Sequence, residues 1–408
     1  MESQITEYAL KIMEIAGGNL CDHCLGRKFS KIVEGPDNKY RGEYVRQILN
    51  ETNNNVLTDD SCYICGNIFD NVENGLIDKI INKINHENIE FSTFLVGCRV
   101  SPEILSKEEE IHENLELDVE NIKKEINREI GKKLYFTLNK EVEFDNPNIV
   151  IMVDFVKDDI DIQINPIFIE GRYRKLVRGI PQTKWPCGKC RGKGCPSCNY
   201  TGKQYPETVE ELISPEAVEL ARGSESKFHG AGREDIDVKM LGSGRPFVLE
   251  IKEPKTRNLD LEILEKKINT FAGGKVEVQD FKFVGKDRKG SIKCSSTDTY
   301  KVYRAIVELE SDVNEDKLNL LSTMEIINQR TPIRVSHRRA DKIRTRRIRK
   351  ITTKPIDTHK FEMIVECEGG LYIKELISGD EGRSKPSVSE ILGIDALCIQ
   401  LDVLEVNI

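Results

Sequence analysis

The sequence lacks several features that would place it in a common class of protein. No run of about 18 apolar residues is present, so we expect no membrane-spanning helix. The first residues, MESQITEYALKIMEIAGG, have neither the basic start nor the small-residue cleavage site of a signal peptide. We therefore expect a cytoplasmic protein. A P-loop pattern is missing as well, and the Gly-x-Gly of residues 242–244 joins two β-like segments, which argues against a Rossmann or methyltransferase cofactor loop.

Over the whole chain, acidic residues outnumber basic ones. Its 408 residues carry 61 Lys and Arg against 69 Asp and Glu, a formal net charge of −8, which weakens any simple case for nucleic-acid binding. The cations are concentrated instead in residues 334–354, RVSHRRADKIRTRRIRKITTK, with ten Lys or Arg and one acid. We predict a β-ribbon with basic edges that binds an RNA backbone, and the alternative is a solvated loop.

Cysteine, by contrast, is frequent. Eight of the 12 cysteines form four Cys-x-x-Cys pairs, and two such pairs can complete a tetrahedral shell of four sulfurs around one metal. We predict structural zinc sites, with reduced, unpaired thiols as the alternative. Four cysteines leave no open position for water, so neither site is expected to be catalytic. The first site comprises Cys21, Cys24, Cys62 and Cys65, and the second comprises Cys187, Cys190, Cys195 and Cys198.

Composition indicates a soluble, folded chain of two or three domains, with 38% hydrophobic and 32% charged residues. Helical and alternating β-like patterns are interspersed, which predicts an α+β fold. A cysteine-rich part occupies residues 1–72 and a mixed helical and β region occupies 73–185. A Gly-, Pro- and Cys-rich boundary follows at 186–204, and a larger mixed domain occupies 205–408.

Two carboxylates follow a glycine-rich loop in FHGAGREDIDVKMLGSGRPFVLEI, residues 228–251. We interpret residues 235–251 as a hairpin whose turn is LGSGRP. Alternation then places Asp235 and Asp237 on one face, so the pattern alone does not choose between them, and a solvated turn is the alternative. Glycines let the backbone approach a ligand closely, and Arg233 favours an ionised carboxylate nearby.

Three motifs resemble the active-site segments of pseudouridine synthases, in the order that this family has along its chain. They are GREDIDVKMLGSGRPF, KVYRAIVEL and GGLYIKELISGDEGRSKPSVSEILG. The resemblance implies that Asp235, not Asp237, is the catalytic aspartate and that Tyr303 stacks on the target uracil or helps to remove its proton. It also implies that Tyr372 and Lys374 lie beside Asp235, with Lys374 in a close ion pair that keeps Asp235 ionised. Without the resemblance, Tyr303 reads as a core residue and Lys374 as a solvated helix residue.

The layout of the whole chain resembles one branch of that family, the archaeal tRNA pseudouridine synthases of the Pus10 type. This resemblance implies a zinc-binding module at 1–72 and a THUMP-type α/β RNA-binding domain at 73–185. A second cysteine cluster and linker would follow at 186–204, and a mixed, largely antiparallel-sheet catalytic domain at 205–408.

The implied activity is the isomerisation of T-arm uridines, at tRNA positions 54 and 55, to pseudouridine. The implied partner is therefore tRNA, with no cofactor for the chemistry, one or two structural zinc ions and no obligate protein partner. One rival is another THUMP-containing tRNA enzyme, a methyltransferase or thiolase, which would need a cofactor loop that we do not find. A second is a non-enzymatic zinc-ribbon RNA-binding module, which would not explain three separate motifs in catalytic order.

Overall fold

A computed structural model describes residues 2–17, 19–51, 61–114, 119–293 and 299–407 of the chain. It divides into two compact units, one ending at Asn165 and the other beginning at Pro166. Each unit is built around its own large hydrophobic core. Within the described ranges, no helix combines the length and apolar character needed to cross a membrane.

The first unit combines helices with a small sheet. Its helices are α1 (Glu2–Ile15), α2 (Asp22–Lys28), α3 (Asn38–Glu51), α4 (Ile68–Glu73), α5 (Leu76–Glu87), α6 (Pro102–Asn114) and α7 (Ile122–Leu138). Its strands are β1 (Thr93–Arg99), β2 (Glu141–Val142), β3 (Ile149–Asp154) and β4 (Asp159–Ile164). They form a sheet in the order β2-β1-β3-β4, in which β1 is parallel to β2 and β3 while β4 is antiparallel to β3.

Buried charges connect the cysteine-rich part to the helices that follow it. Arg27 on α2 is fully buried and pairs with Glu108 on α6, at 3.0 Å, and with Glu125 on α7. The carboxylate of Glu108 also accepts the backbone N–H of Ile122, at 2.9 Å, at the start of α7. Removing one partner of such a buried pair leaves an uncompensated charge, so these contacts hold residues 1–72 firmly within the first unit.

The second unit is built on a large, mostly antiparallel sheet. Its strands are β5 (Ile167–Lys175), β6 (Glu225–Gly230), β7 (Lys239–Lys252), β8 (Val276–Val284), β9 (Tyr300–Leu309), β10 (Ile326–Arg330), β11 (Ile343–Pro355), β12 (Lys360–Glu368), β13 (Ser384–Lys385) and β14 (Ala396–Asn407). They follow the order β13-β10-β11-β12-β9-β14-β7-β5-β8, with β6 paired to β7. Among the described strands of this second sheet, only the short β7–β14 pairing is parallel, so the predicted α+β class with a largely antiparallel second sheet is confirmed.

Helices of the second unit are short or lie against this sheet. They are α8 (Val209–Ala221), α9 (Leu261–Phe271), α10 (Arg288–Ser291), α11 (Glu315–Asn319), α12 (Ile373–Ser378) and α13 (Val388–Leu392). The described part of this unit also has 3₁₀ segments at Pro196–Cys198, Leu320–Thr323 and Ile333–Arg338. The apolar faces of α8 and α9 join the same core as the sheet, through residues such as Ile213 and Leu264.

The unit boundary differs from the one expected from the sequence. Strand β5, which we had grouped with the region 73–185, lies between β7 and β8 in the second sheet. Along the chain, β4 and β5 read as one continuous β-like block. Local alternation predicts that a segment is a strand, whereas the sheet it joins depends on partners 65 to 116 residues away.

The predicted hairpin at 235–251 is wrong. Residues 235–238 form a turn, closed by Val238 N–H donating to Asp235 O at 3.1 Å, and β7 then runs unbroken from Lys239 to Lys252. Residues 241–244 bulge out of β7, because Tyr173 pairs with Arg245 while Lys175 pairs with Met240. A Cβ on Gly242 (φ +56°) would lie 1.9 Å from the carbonyl oxygen of Leu404, so the glycines serve a close approach within the sheet.

Candidate active site

The loop between β6 and β7, residues 231–238, carries the predicted catalytic aspartate on a rigid base. Lys175, fully buried at the end of β5, donates to the carbonyl oxygens of Asp235 (3.0 Å) and Ile236 (3.3 Å). The same ammonium group donates to Ile180 O at 3.0 Å. Because these bonds fix the backbone that follows its Cα, the Asp235 side chain has few directions open to it, and it points into a cleft.

Glu234, the residue before Asp235, anchors the loop from the other side. Its buried carboxylate accepts from Arg245 Nε at 2.8 Å and from the Tyr173 hydroxyl at 2.8 Å. Arg245 also donates to Ala231 O at 2.9 Å, and Gln182 donates to Tyr173 Oη at 2.8 Å and to Gly232 O at 3.0 Å. This network satisfies the buried charges and fixes the loop before any substrate binds.

The cleft has a volume of about 810 Å³ and contains all four side chains predicted for the site. Tyr303 comes from β9, Tyr372 immediately precedes α12, and Lys374 lies in the first turn of α12. Leu401 on β14 also lines the cleft. Asp235 belongs to this lining, whereas Asp237 lines only a smaller adjoining cleft. The structure therefore distinguishes two acids that the sequence pattern left equivalent.

The cations around the two acids are arranged differently from the expected ion pair. Lys374 Nζ lies 2.7 Å from Asp237 Oδ2 and 3.8 Å from Asp235 Oδ2. Arg334, at the start of the 3₁₀ segment Ile333–Arg338, approaches Asp235 more closely, with 3.0 Å between Nη1 and Oδ2. Partial burial opposes ionisation of Asp237, but the hydrogen bond and charge of Lys374 lower its pKa. Lys374 thus pairs mainly with Asp237, and Arg334 is the closer partner of Asp235.

The two tyrosines have distinct environments. Burial raises the pKa of Tyr303 well above its usual range, so its phenol stays protonated at neutral pH and can donate a hydrogen bond. Tyr372 is held by its backbone, which donates from N–H to Gln329 Oε1 at 2.8 Å and accepts from Gln329 Nε2 at 3.0 Å. Its ring lies 5.8 Å from the Arg334 guanidinium carbon, within cation–π range. The Tyr372 ring is therefore held in a defined position on the cleft wall.

Several site residues were not singled out from the sequence. Lys301 lines the cleft two residues before Tyr303, and its pKa falls to about 8 because of burial and the nearby charge of Arg245. A Cβ on Gly232 would lie 3.3 Å from Lys301 Nζ, so the glycine is what lets the loop pass this lysine. In the sequence, only the glycine-rich loop indicated that the backbone passes this close to another group. For Glu234, Arg245 and Lys175 no local signal existed, because charged residues usually face solvent.

The basic run forms part of the same cleft. Arg334 and Arg339 precede β11, and Arg344 and Arg346 project from alternate positions along it into the cleft. Among the described residues, the lining holds nine Lys or Arg side chains and two acids, so the cleft is strongly positive on a chain of net charge −8. A concave, cationic surface of this kind attracts a polyanion such as RNA.

Both cysteine clusters have the geometry of a metal site. In each one, the four sulfurs lie within 4.8 Å of one another, against the roughly 3.8 Å expected between sulfurs of tetrahedral zinc. Cys24, Cys62 and Cys65 are buried in the core of the first unit. Cys190, Cys195 and Cys198 are only half-buried, and the Cys198 sulfur accepts backbone N–H groups from Cys195 (3.2 Å) and Gly202 (3.3 Å). The donor sets and spacings fit zinc.

Comparison with known proteins shows the family of the chain. The family model described as "Pus10, C-terminal" matches residues 168–407, more than half of the chain, and "Pus10 THUMP domain, archaeal" matches residues 76–154. Among the similar proteins are several named "tRNA pseudouridine synthase Pus10". The one from Methanothermobacter marburgensis is 52% identical over 97% of both chains.

Two further relatives of the same name extend this agreement. The protein from Methanosphaera stadtmanae is 46% identical, over 95% of this chain and 96% of its own. That from Methanocaldococcus jannaschii is 46% identical, over 85% of this chain and 76% of its own. The resemblance seen in three motifs and in the order of domains is thereby confirmed across nearly the whole length, and the chain belongs to the Pus10 family of tRNA pseudouridine synthases.

Proposed function

We propose that this tRNA pseudouridine synthase isomerises T-arm uridines, at positions 54 and 55, and that Asp235 is its catalytic carboxylate. One observation carries the assignment of Asp235: its side chain enters a cationic cleft together with Tyr303, Tyr372 and Lys374, which lie some 70 to 140 residues further along the chain. Asp237 does not line that cleft. The T-arm positions rest on the resemblance to the family.

The reaction sets simple demands on such a site. The bond between N1 of uracil and C1′ of ribose breaks, the base turns, and a bond between C5 and C1′ forms. A proton leaves C5 and one is gained at N1, so atoms and electrons balance without a redox cofactor. The target base must first leave its stack and enter a cleft. A cleft of about 810 Å³ has room for a flipped nucleotide.

The side chains can divide this work. The carboxylate of Asp235 attacks ribose or base, or assists deprotonation of the ribose, and Arg334 (3.0 Å) and Lys374 (3.8 Å) lie beside it. Tyr303 stacks on the uracil or helps to remove the C5 proton; because its phenol is protonated in the free enzyme, it first acts as a hydrogen-bond donor. Tyr372, held beside Arg334, closes the site around the base.

The proposal also covers the two cysteine clusters and the cellular compartment. Cys21, Cys24, Cys62 and Cys65 would hold one structural zinc ion and Cys187, Cys190, Cys195 and Cys198 a second, and neither takes part in the chemistry. The cationic cleft binds the tRNA backbone and needs no protein partner to be complete. Cysteines arranged as ligands, together with a tRNA substrate, fit a reducing cytoplasm.

The test compares substitutions of two acids that lie two residues apart. Asp235→Ala should lower pseudouridine formation in unmodified tRNA by more than about a thousandfold, because it removes the reacting carboxylate. Asp237→Ala should keep activity within about tenfold, because an ion pair this exposed contributes little. Pseudouridine is mapped by nucleotide position, with no cofactor added. Full activity of Asp235→Ala alongside loss in Asp237→Ala would overturn the assignment.

A further inference from the structure

A smaller cleft opens beside the catalytic one. It has a volume of about 190 Å³, and its lining includes Trp185 together with Asp235, Asp237, Arg334 and Lys374. Asp235, Arg334 and Lys374 line both clefts, so the two spaces share a wall. A ligand seated over Asp235 therefore has a neighbouring space that its next group can enter, and Trp185 offers the apolar surface there.

Trp185 is held in place by the second cysteine cluster. Its carbonyl oxygen accepts the backbone N–H of Gln204 at 3.0 Å, and the next residue, Pro186, forms a bridge with Lys203. Its ring meets that of Tyr205 edge-on, with centroids 5.6 Å apart. Lys203 and Gln204 lie shortly after the segment that carries the four sulfurs, residues 187–198. The cluster thus folds residues 186–203 back so that a half-buried indole is presented at the cleft.

The chemistry around Trp185 suits a nucleotide. Residues 181–206 contain five Lys or Arg and no Asp or Glu, and Arg334 and Lys374 add positive charge at the cleft itself. An aromatic surface flanked by cations is the arrangement with which proteins bind single-stranded RNA, since each base stacks on the ring while cations contact its phosphate. A purely structural tryptophan would need neither the adjoining cleft nor its cations.

We propose that Trp185 is a stacking platform for the nucleotide next to the flipped uridine, and that the second cysteine cluster serves to position it. This inference rests on the proposed function, since it needs the target uridine to occupy the cleft over Asp235. It gives the second cluster a role in substrate binding that the first cluster, buried in the other unit's core, does not have.

Fluorescence provides a direct test, because Trp185 is the only tryptophan in the chain. Asp235→Ala protein is titrated with unmodified tRNA, and then with a T-arm hairpin in which the nucleotide on either side of the target is abasic. Stacking predicts quenching by tRNA and loss of most of that quenching for one of the two abasic hairpins. Absence of quenching at saturating tRNA, or equal quenching by both abasic hairpins and the intact hairpin, would overturn the proposal.

Kinetics provide the second test. Trp185→Ala should raise KM for tRNA roughly tenfold, the value of one base stack, with kcat within about threefold of wild type. Trp185→Phe should restore most of the affinity, since it keeps an aromatic face and the packing against Tyr205. Tyr200→Ala is the matched control, because Tyr200 is a 75% exposed ring on the same segment that lines neither cleft.

The outcomes separate this inference from the function on which it rests. Failure of wild-type protein to modify T-arm uridines would refute the proposed positions, whatever Trp185 does. Modification of those uridines with the same KM in wild type and Trp185→Ala would refute the stacking platform alone. Zinc content is measured for each variant. If Trp185→Ala loses metal, the KM of Trp185→Phe and the fluorescence titration test the stacking platform instead.

Discussion

At the scale of single residues, Lys301 illustrates how burial acts on a charge in the cleft. Its ammonium group lies beside Arg245, and among the described residues no carboxylate is within ion-pair distance. Burial first, and then repulsion from Arg245, lower the pKa of Lys301 to about 8. An ammonium group in such a place is costly to the folded state.

The cost of Lys301 should appear as a pH-dependent free energy of unfolding. Below about pH 8 both states hold the proton and the folded state bears the full penalty. Between about pH 8 and 10.4 the unfolded state binds more protons, so stability rises with pH through this group. Lys301→Met should therefore be more stable than wild type at pH 7 by up to about 3 kcal/mol, and the gain should shrink towards pH 10.

Urea unfolding at pH 7 and pH 10 measures this difference. Lys293→Met is the control, because Lys293 is an exposed lysine of the same cleft and its removal should change the free energy of unfolding by less than about 0.5 kcal/mol at both pH values. A Lys301→Met protein that is no more stable than wild type at pH 7 would contradict the assigned penalty.

The sequence predicted which residues line the cleft, but not which of their side chains form ion pairs. Asp235, Tyr303, Tyr372 and Lys374 do line one cleft, as expected, although their catalytic roles stay predictions. The partner of Asp235 was misassigned, since Arg334 is closer than Lys374. Ion pairs depend on distances of a few tenths of an ångström between side chains far apart in the chain, and no local pattern encodes these.

At the scale of structural elements, the two cysteine clusters share a motif but differ in setting. Three cysteines of the first are buried in a core, whereas three of the second are half-buried near the cleft. Metal binding contributes to folding where the ligands belong to the core. Cys24→Ser should thus destabilise the first unit severely, whereas Cys195→Ser should leave the fold intact and weaken tRNA binding.

Zinc content and thermal unfolding distinguish these outcomes. Wild type should bind two zinc ions per chain, and Cys195→Ser should bind one with little change in Tm. A chelator should remove the ion of the second cluster faster, because its sulfurs are more accessible. Equal loss of stability in Cys24→Ser and Cys195→Ser would contradict the assigned settings.

Elements were predicted with more success than their arrangement. The basic run does contain a strand, β11, and the second sheet is largely antiparallel. The hairpin at 235–251 was misread because glycines usually mark turns, yet Gly242 and Gly244 lie in a bulge of one long strand. A turn and a bulge can both require glycine, because each has a positive φ or a close backbone contact. A glycine in the sequence therefore does not tell one from the other.

At the scale of the whole molecule, the distribution of charge matters more than its sum. The chain carries −8 overall, while nine cations and two acids of the described ranges line the cleft. Binding of tRNA should therefore weaken steeply with salt. Removing Arg344 and Arg346 together should reduce the slope of log K against log salt concentration by about 1 to 2, since each phosphate contact contributes about 0.7 to 0.9.

Affinity measured by filter binding between about 50 and 300 mM salt tests this. Arg347→Ala is the control, because Arg347 lies on the same strand next to Arg346 but does not line the cleft. Its slope should equal that of wild type. If Arg344→Ala/Arg346→Ala also kept the wild-type slope, β11 would not contact the RNA backbone.

Local pattern and spacing were enough to indicate the α+β class and two sets of four cysteines. The family and the choice of Asp235, Tyr303, Tyr372 and Lys374 came from the resemblance of three motifs, in their order along the chain, to pseudouridine synthases. Three further features became visible only in the folded chain: β5 belongs to the second sheet, Arg334 is the nearest cation to Asp235, and Trp185 faces the smaller cleft. Each of these depends on contacts between segments far apart in the chain. Folding alone brings such segments together, through burial of the core and pairing of distant strands.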